Sequence, residues 1–237
     1  RVRTMLAYLN PQPGETILDC GTGMGFYPLV INRLFPGVRV IGIDTDPRAL
    51  AFARGHLEAG TPVIHADITA MPLASSSIDS VLMSEVLEHL PDEAAALAEV
   101  RRVLKPGGRL ALTVPYRHYP AWYDPINRVA EALARRPIRR GPFAGIWANH
   151  ERLYDSEQLL SVLTSAGFEC GPVVPLTHYC FPGTQTIVYT FGKGLIERGL
   201  LPEAVSRNVH RFDGERNSGQ RWNPLNWALA FFHLIDR

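Results

Sequence analysis

Ile17-Leu18-Asp19-Cys20-Gly21-Thr22-Gly23-Met24-Gly25 is the most informative run in this chain. An apolar strand ends in a carboxylate and passes at once into a Gly-x-Gly-x-Gly turn. Glycine lets the backbone bend sharply and lets a ligand approach with no Cβ in the way. Dinucleotide enzymes carry Gly-x-Gly-x-x-Gly at this place. Here the third glycine is Gly25, and Phe26 stands where the dinucleotide pattern has glycine. Asp19, directly ahead of the glycines, suits a cationic ammonium better than a pyrophosphate. The plain alternative is a tight strand-to-helix turn with no ligand.

Two more acids follow at strand ends. Asp44 closes Val40-Ile41-Gly42-Ile43-Asp44, where a carboxylate can accept two hydrogen bonds from the cis hydroxyls of a ribose. Asp46 reads as the cap of a helix beginning at Pro47. Asp67, in His65-Ala66-Asp67-Ile68, ends a third strand and could bind an exocyclic amine, although alone it reads as a loop or cap residue.

Around these acids the first half alternates β-branched runs with amphipathic stretches. Strands are expected over 16–20, 38–44, 62–66, 78–84 and 109–114, with helices near 25–35, 47–58 and 91–104. That alternation predicts an α/β fold, a Rossmann-like doubly wound and mostly parallel sheet. The third helix is expected to carry Pro91 in its first turn, with Asp92 and Glu93 at the positive end of its dipole. Lys105-Pro106-Gly107-Gly108 is expected to end it and turn the chain into the fifth strand.

The second half differs. Residues 116–155 are rich in aromatic residues and arginine, and predict a helical and aromatic substrate-recognition insertion with a short helix from Pro125 capped by Asp124. Residues 156–237 are expected to complete the sheet, with a helix from Ser156 to Ala166 capped by Asp155 and a sixth strand over Phe168–Leu176. Thr184–Leu195 stays ambiguous between strand and helix, and 207–221 reads as a surface connection. Asn223-Pro224 then opens an apolar terminal helix over 224–235, a length too short to span a bilayer but suited to packing, an interface or a membrane surface. The whole chain is read as one domain, with residues 1–115 as its cofactor-binding core.

The 237 residues hold 24 Lys plus Arg against 23 Asp plus Glu, a formal net charge of +1. That balance provides no strongly basic field, so nucleic acid is not an expected partner. The three cysteines, Cys20, Cys170 and Cys180, have no Cys-x-x-Cys spacing, which fits a reducing cytoplasmic compartment. The first residues show no signal-peptide pattern, but a natural start upstream of Arg1 is expected, which leaves a lost targeting segment open. Association with a membrane surface and oligomerisation are both compatible with the sequence.

The chain resembles the class I S-adenosylmethionine-dependent methyltransferases, especially the small-molecule group that includes the quinone-biosynthesis methyltransferases. The matching segments are Leu18 through Gly25, Gly42-Ile43-Asp44, Ala66-Asp67, Ser84-Glu85-Val86-Leu87-Glu88-His89-Leu90 and Leu104-Lys105-Pro106-Gly107-Gly108. A later match covers His150-Glu151-Arg152-Leu153-Tyr154 through Ala166-Gly167-Phe168. The resemblance implies S-adenosylmethionine as cofactor and S-adenosylhomocysteine as product. It implies that Asp19, Gly21, Thr22 and Gly23 hold the methionine part, Asp44 and Thr45 the ribose side, and Asp67 and Ile68 the adenine. Ser84 would face the methionine end towards the acceptor.

Glu85, Glu88 and His89 stand at i, i+3 and i+4, so a helical turn would gather them on one side. In some quinone-ring O-methyltransferases a similar Glu-x-x-Glu-His binds a divalent metal, but metal-free relatives share the letters, and no metal is expected here. His89 and His150 are the candidate bases for a hydroxyl acceptor. Tyr116, His118, Tyr119, Trp122, Tyr123, Phe143, Trp147 and Tyr154 are candidates for an aromatic acceptor wall, with at least half expected only to pack the insertion. The expected acceptor is a small organic or lipid-like molecule, with O-methylation favoured over C- or N-methylation. Two competing readings are a nucleic-acid methyltransferase and a silent scaffold of the same fold.

Overall fold

The computed structural model describes residues 1–141 and 143–176. Two compact units divide them. The first contains 1–117 and 151–174, and the second contains the described part of 118–150 with 175–176. The ambiguous segment 184–195, the connection 207–221, the terminal helix over 224–235 and Cys180 lie outside the described residues.

In the first unit the strands are β1 (Thr16–Cys20), β2 (Arg39–Asp44), β3 (Val63–His65), β4 (Ile78–Ser84) and β5 (Leu104–Thr113), ordered β3-β2-β1-β4-β5 and all parallel. Side chains alternate across a strand, so Ile17, Val40 and Leu82 enter one core and Leu18, Val81 and Met83 the other. Helices α1 (Val2–Leu9) and α2 (Phe26–Leu34) cover the first face through Met5, Leu6, Leu9 and Ile31. Helices α4 (Glu93–Val103) and α6 (Ser156–Ser165) cover the second through Leu97, Val100, Leu159 and Leu163. A sheet buried on both faces is the expected doubly wound arrangement. Helix α3 (Pro47–Arg54) packs Leu50 and Ala53 against Val63.

Because β2 and β3 lie on one side of β1 while β4 and β5 lie on the other, the chain reverses its winding between β1 and β4. In open α/β sheets a ligand crevice forms at such a point, beyond the carboxyl ends of the strands. Asp19, Asp44 and Ser84 all stand at those ends.

Several local expectations need correction. Helix α1 was not anticipated, although Val2, Met5, Leu6 and Leu9 carry the spacing of one helical face. Helix α4 starts at Glu93, not Pro91: the Asp92 side chain accepts from Ala95 N and is the cap, while the Pro91 carbonyl accepts from Arg152. Strand β5 begins at Leu104, before the Lys-Pro-Gly-Gly turn. Leu104 pairs with Ile78 and Arg109 with Ser80, so 105–108 form an irregularity inside the strand. Residues 168–176 form no strand. Pro172 and Pro175 bracket Val173-Val174, and proline has no N–H to give a ladder.

The second unit is organised around α5 (Pro125–Ala134). Its cap Asp124 is fully buried and accepts from Asn127 N and Ile146 N. The buried Asn127 amide donates to Asp124, Phe143 O and Ala144 O, and its oxygen accepts from Ile138 N. Its carboxylate Glu131 accepts from Trp147 Nε1 at 3.0 Å and Tyr119 OH at 3.4 Å. Tyr119 and Trp147 are therefore packing residues of the insertion.

Candidate functional site

The glycine turn hangs from β2 by two backbone bonds, Gly21 N and Thr22 N both donating to Ile43 O. Gly21, Gly23 and Gly25 all have positive φ. They do different work. A Cβ on Gly21 would collide with Val86, and one on Gly25 would press Ala53 and Leu57 at 3.1 Å, so both are required by packing. A Cβ on Gly23 would meet nothing within 4 Å. Open space above a left-handed glycine is room for a ligand to reach the backbone. Gly42 is a further steric requirement, because a Cβ there would press the Thr22 side chain at 2.7 Å.

The two acids flanking this turn are in opposite states. Asp19 is buried at the end of β1, and burial pushes its carboxyl up to about 7. The nearby Thr22 hydroxyl pulls it down and the Asp44 carboxylate pushes it up further, both by less than burial. Neither Asp19 Oδ2 nor Thr22 Oγ1 makes a hydrogen bond of normal geometry among the described residues. A buried carboxylate oxygen without a partner is costly, and a bound ammonium would answer that cost. Asp44 is half-buried and already bonded: Oδ2 accepts from Gly23 N at 2.7 Å and Oδ1 from Asp46 N at 2.8 Å. Each oxygen keeps a further lone pair for a hydroxyl.

Asp67 is exposed and caps the short 3₁₀ turn Ile68–Ala70, with Oδ1 accepting from the Thr69 backbone and hydroxyl. Those bonds lower its pKa. The loop is pinned to α4, since Glu99 accepts from Met71 N while Arg102 donates to Met71 O and Leu73 O. The Ile68 side chain lies in the core, so it offers a ligand only its backbone. Thr45 is exposed, and its carbonyl lies 3.0 Å from His65 Nε2.

Ser84 joins a group that sequence reading missed. Its Oγ lies 3.2 Å from Thr113 Oγ1 and accepts from Tyr27 OH at 3.2 Å. The Tyr27 hydroxyl also lies 3.3 Å from Met5 Sδ, so its one proton serves one of the two at a time. Burial raises the Tyr27 pKa and keeps the hydroxyl protonated. Residues 27, 84 and 113 share no motif; the pairing of β4 with β5 and the packing of α2 bring them together.

After Ser84 the backbone turns sharply, with Glu85 at φ 56 and its N–H donating to Thr113 O. The helical turn expected over 85–89 is a 3₁₀ turn over Leu87–His89, with Glu85 outside it. Glu85 pairs with Arg1 at 3.4 Å. Glu88 is fully buried, and burial pushes its carboxyl up to about 8. Its Oε1 lies 3.9 Å from His89 Nε2. His89 is exposed in the first unit, whereas His150 is half-buried in the second, where its backbone N–H donates to Trp147 O. Tyr154 is buried in the first unit with its hydroxyl on Glu93, which also pairs with Arg152, so it is a structural residue.

A family profile described as "Methyltransferase domain" matches residues 18–112. A Streptomyces fradiae protein, "Uncharacterized 37.1 kDa protein in transposon TN4556", is 35% identical over 98% of this chain and 63% of its own length. A "Ubiquinone biosynthesis O-methyltransferase" from Paracidovorax citrulli is 30% identical over 76% of this chain and 77% of that protein. A solved S-adenosylmethionine-dependent methyltransferase from Methanosarcina mazei shares 25% identity and a TM-score of 0.58, covering 70% of this chain and 84% of that one. The chain spans between 42% and 63% of the length of the curated relatives that match it first. With its parallel sheet, its glycine turn and these matches, the chain belongs to the class I S-adenosylmethionine-dependent methyltransferases.

Proposed function

We propose that this protein methylates a small organic, lipophilic acceptor, with oxygen as the favoured methyl-accepting atom. The observation that carries the cofactor side is Asp19: a buried carboxylate oxygen with no normal hydrogen bond, next to the open face of Gly23. These residues fit the α-ammonium and carboxylate end of the cofactor. Asp44 fits the ribose hydroxyls, with Thr45 beside it. Asp67 and the Ile68 backbone fit the adenine. The likeness to a ubiquinone O-methyltransferase favours the acceptor class.

Bound S-adenosylmethionine supplies a methyl group already activated on a sulfonium. The chain's task is then alignment and exclusion of water, which contributes up to about 7–11 kcal/mol in well-oriented systems. Ser84, held by Tyr27 and Thr113, orients the reacting end from β4. His89 and His150 are the proposed bases for a hydroxyl proton, since an imidazole can accept one near neutral pH. The test is incubation with methyl-labelled cofactor and lipid and polar extracts, followed by mass spectrometry. A labelled lipid-soluble ether supports the reading; label confined to nucleic acid or to no product overturns it.

A further inference from the structure

Helix α5 is inverted. A surface helix normally buries its apolar side and shows water its polar side. Here Asn127 is fully buried and the Glu131 carboxylate is turned onto Trp147 and Tyr119, while Val129 is 57% and Leu133 83% exposed. At 100° per residue Pro125, Val129, Ala132 and Leu133 share one continuous outer arc, and all four are exposed. Trp122 and Phe143, at 40% and 48% exposure, add aromatic surface to the same unit. Leaving such a face in water forgoes the gain of burying it, and contiguous exposed apolar surface marks an interaction site.

The charge beside this face indicates its occupant. Arg135 ends the helix in a left-handed cap, and Arg136, Arg139 and Arg140 follow. Between Glu131 and Glu151 the sequence has no acid. Arg139 stacks over Trp147 at 5.3 Å, and Arg135, Arg136 and Arg140 are all exposed. An apolar arc bordered by arginines, with aromatic residues nearby, is the pattern of a helix lying in a bilayer interface, where arginines meet anionic head groups. We infer that the outer face of α5 docks the protein on an anionic lipid surface. This binding needs no methyl transfer, so it stands or falls separately from the proposed reaction.

The test is co-sedimentation of the full chain with phosphatidylcholine vesicles, with and without phosphatidylglycerol. Wild type is expected to pellet with the anionic vesicles and much less with the neutral ones. Val129→Ser/Leu133→Ser removes the apolar arc from an exposed position and should lower partitioning at least about ten-fold. Arg135→Gln/Arg136→Gln should lower it roughly five-fold per arginine, with the loss fading as salt rises. Circular dichroism and an unfolding transition like those of wild type show that both variants are folded. Failure of wild type to pellet overturns the inference, as does wild-type partitioning by Val129→Ser/Leu133→Ser. Light scattering adds one more contrary outcome: a dimer that this double variant breaks, in a protein that ignores vesicles, assigns the face to a second copy.

Discussion

Asp44 Oδ2 accepts a hydrogen bond from Gly23 N at 2.7 Å, tying the end of β2 to the glycine turn that follows β1. The same carboxylate therefore shapes the turn and is the group proposed for the ribose hydroxyls. Asp44→Ala should lose both roles. Hydrogen bonds to a charged group are worth about 1.5–3 kcal/mol each, so cofactor affinity should fall by at least roughly ten-fold, with the fold intact. Calorimetric titration measures it, and unchanged affinity in a folded variant removes Asp44 from the site.

Gly23 and Gly25 should respond differently to the same substitution. At Gly23 an added Cβ has space within the protein and only its positive φ opposes it, at about 1–2 kcal/mol. At Gly25 the Cβ also presses Ala53 and Leu57. Gly23→Val should therefore retain most stability and lose cofactor binding, while Gly25→Val should lose more stability. Chemical denaturation beside the titration separates the two; a Gly23→Val protein with normal affinity contradicts the loop's role.

The pH response has a defined sign. Burial raises Asp19 from 3.8 to about 7 and Glu88 from 4.5 to about 8, so the folded protein holds these protons more tightly than the unfolded chain. Stability from both groups falls as pH rises from their ordinary values through 7 and 8, and levels off above. Cofactor binding runs the other way, because an ammonium wants the Asp19 carboxylate charged. Affinity should rise roughly ten-fold between pH 6 and 8. In Asp19→Asn that rise should vanish, and a flat wild-type profile would count against the Asp19–ammonium contact.

Glu93 receives the Tyr154 hydroxyl and the Arg152 guanidinium, joining the start of α4 to the strand-like segment that returns beside Tyr116. Removing the shared acceptor should cost more than removing one donor. Glu93→Ala should destabilise by about 1–3 kcal/mol and Tyr154→Phe by about 0.5–1.5 kcal/mol. Equal losses in thermal or urea unfolding would show that the two donors find other partners.

Sequence alone revealed what depends on local chemistry. The bounds of β1 and β4, the Asp46, Asp124 and Asp155 caps, and the three acids at strand ends all follow from residues adjacent in the chain. It did not reveal the Tyr27–Ser84–Thr113 group, because that contact exists only once α2 packs beside the paired ends of β4 and β5. Nor did it reveal that Gly23 faces open space while Gly25 packs, since identical letters acquire different neighbours from α3. The spacing of Val2, Met5, Leu6 and Leu9 already carries helix α1, and Pro172 and Pro175 already withhold the donors that a strand over 168–176 would need.

The carboxyl ends of β1 and β2 are the proposed S-adenosylmethionine site. Equilibrium titration of the chain with S-adenosylmethionine, in competition with S-adenosylhomocysteine and with NAD, tests it most directly. One saturable site is expected, from which S-adenosylhomocysteine displaces the ligand and NAD does not. Equal displacement by NAD, or no saturable binding to the folded chain, would contradict it.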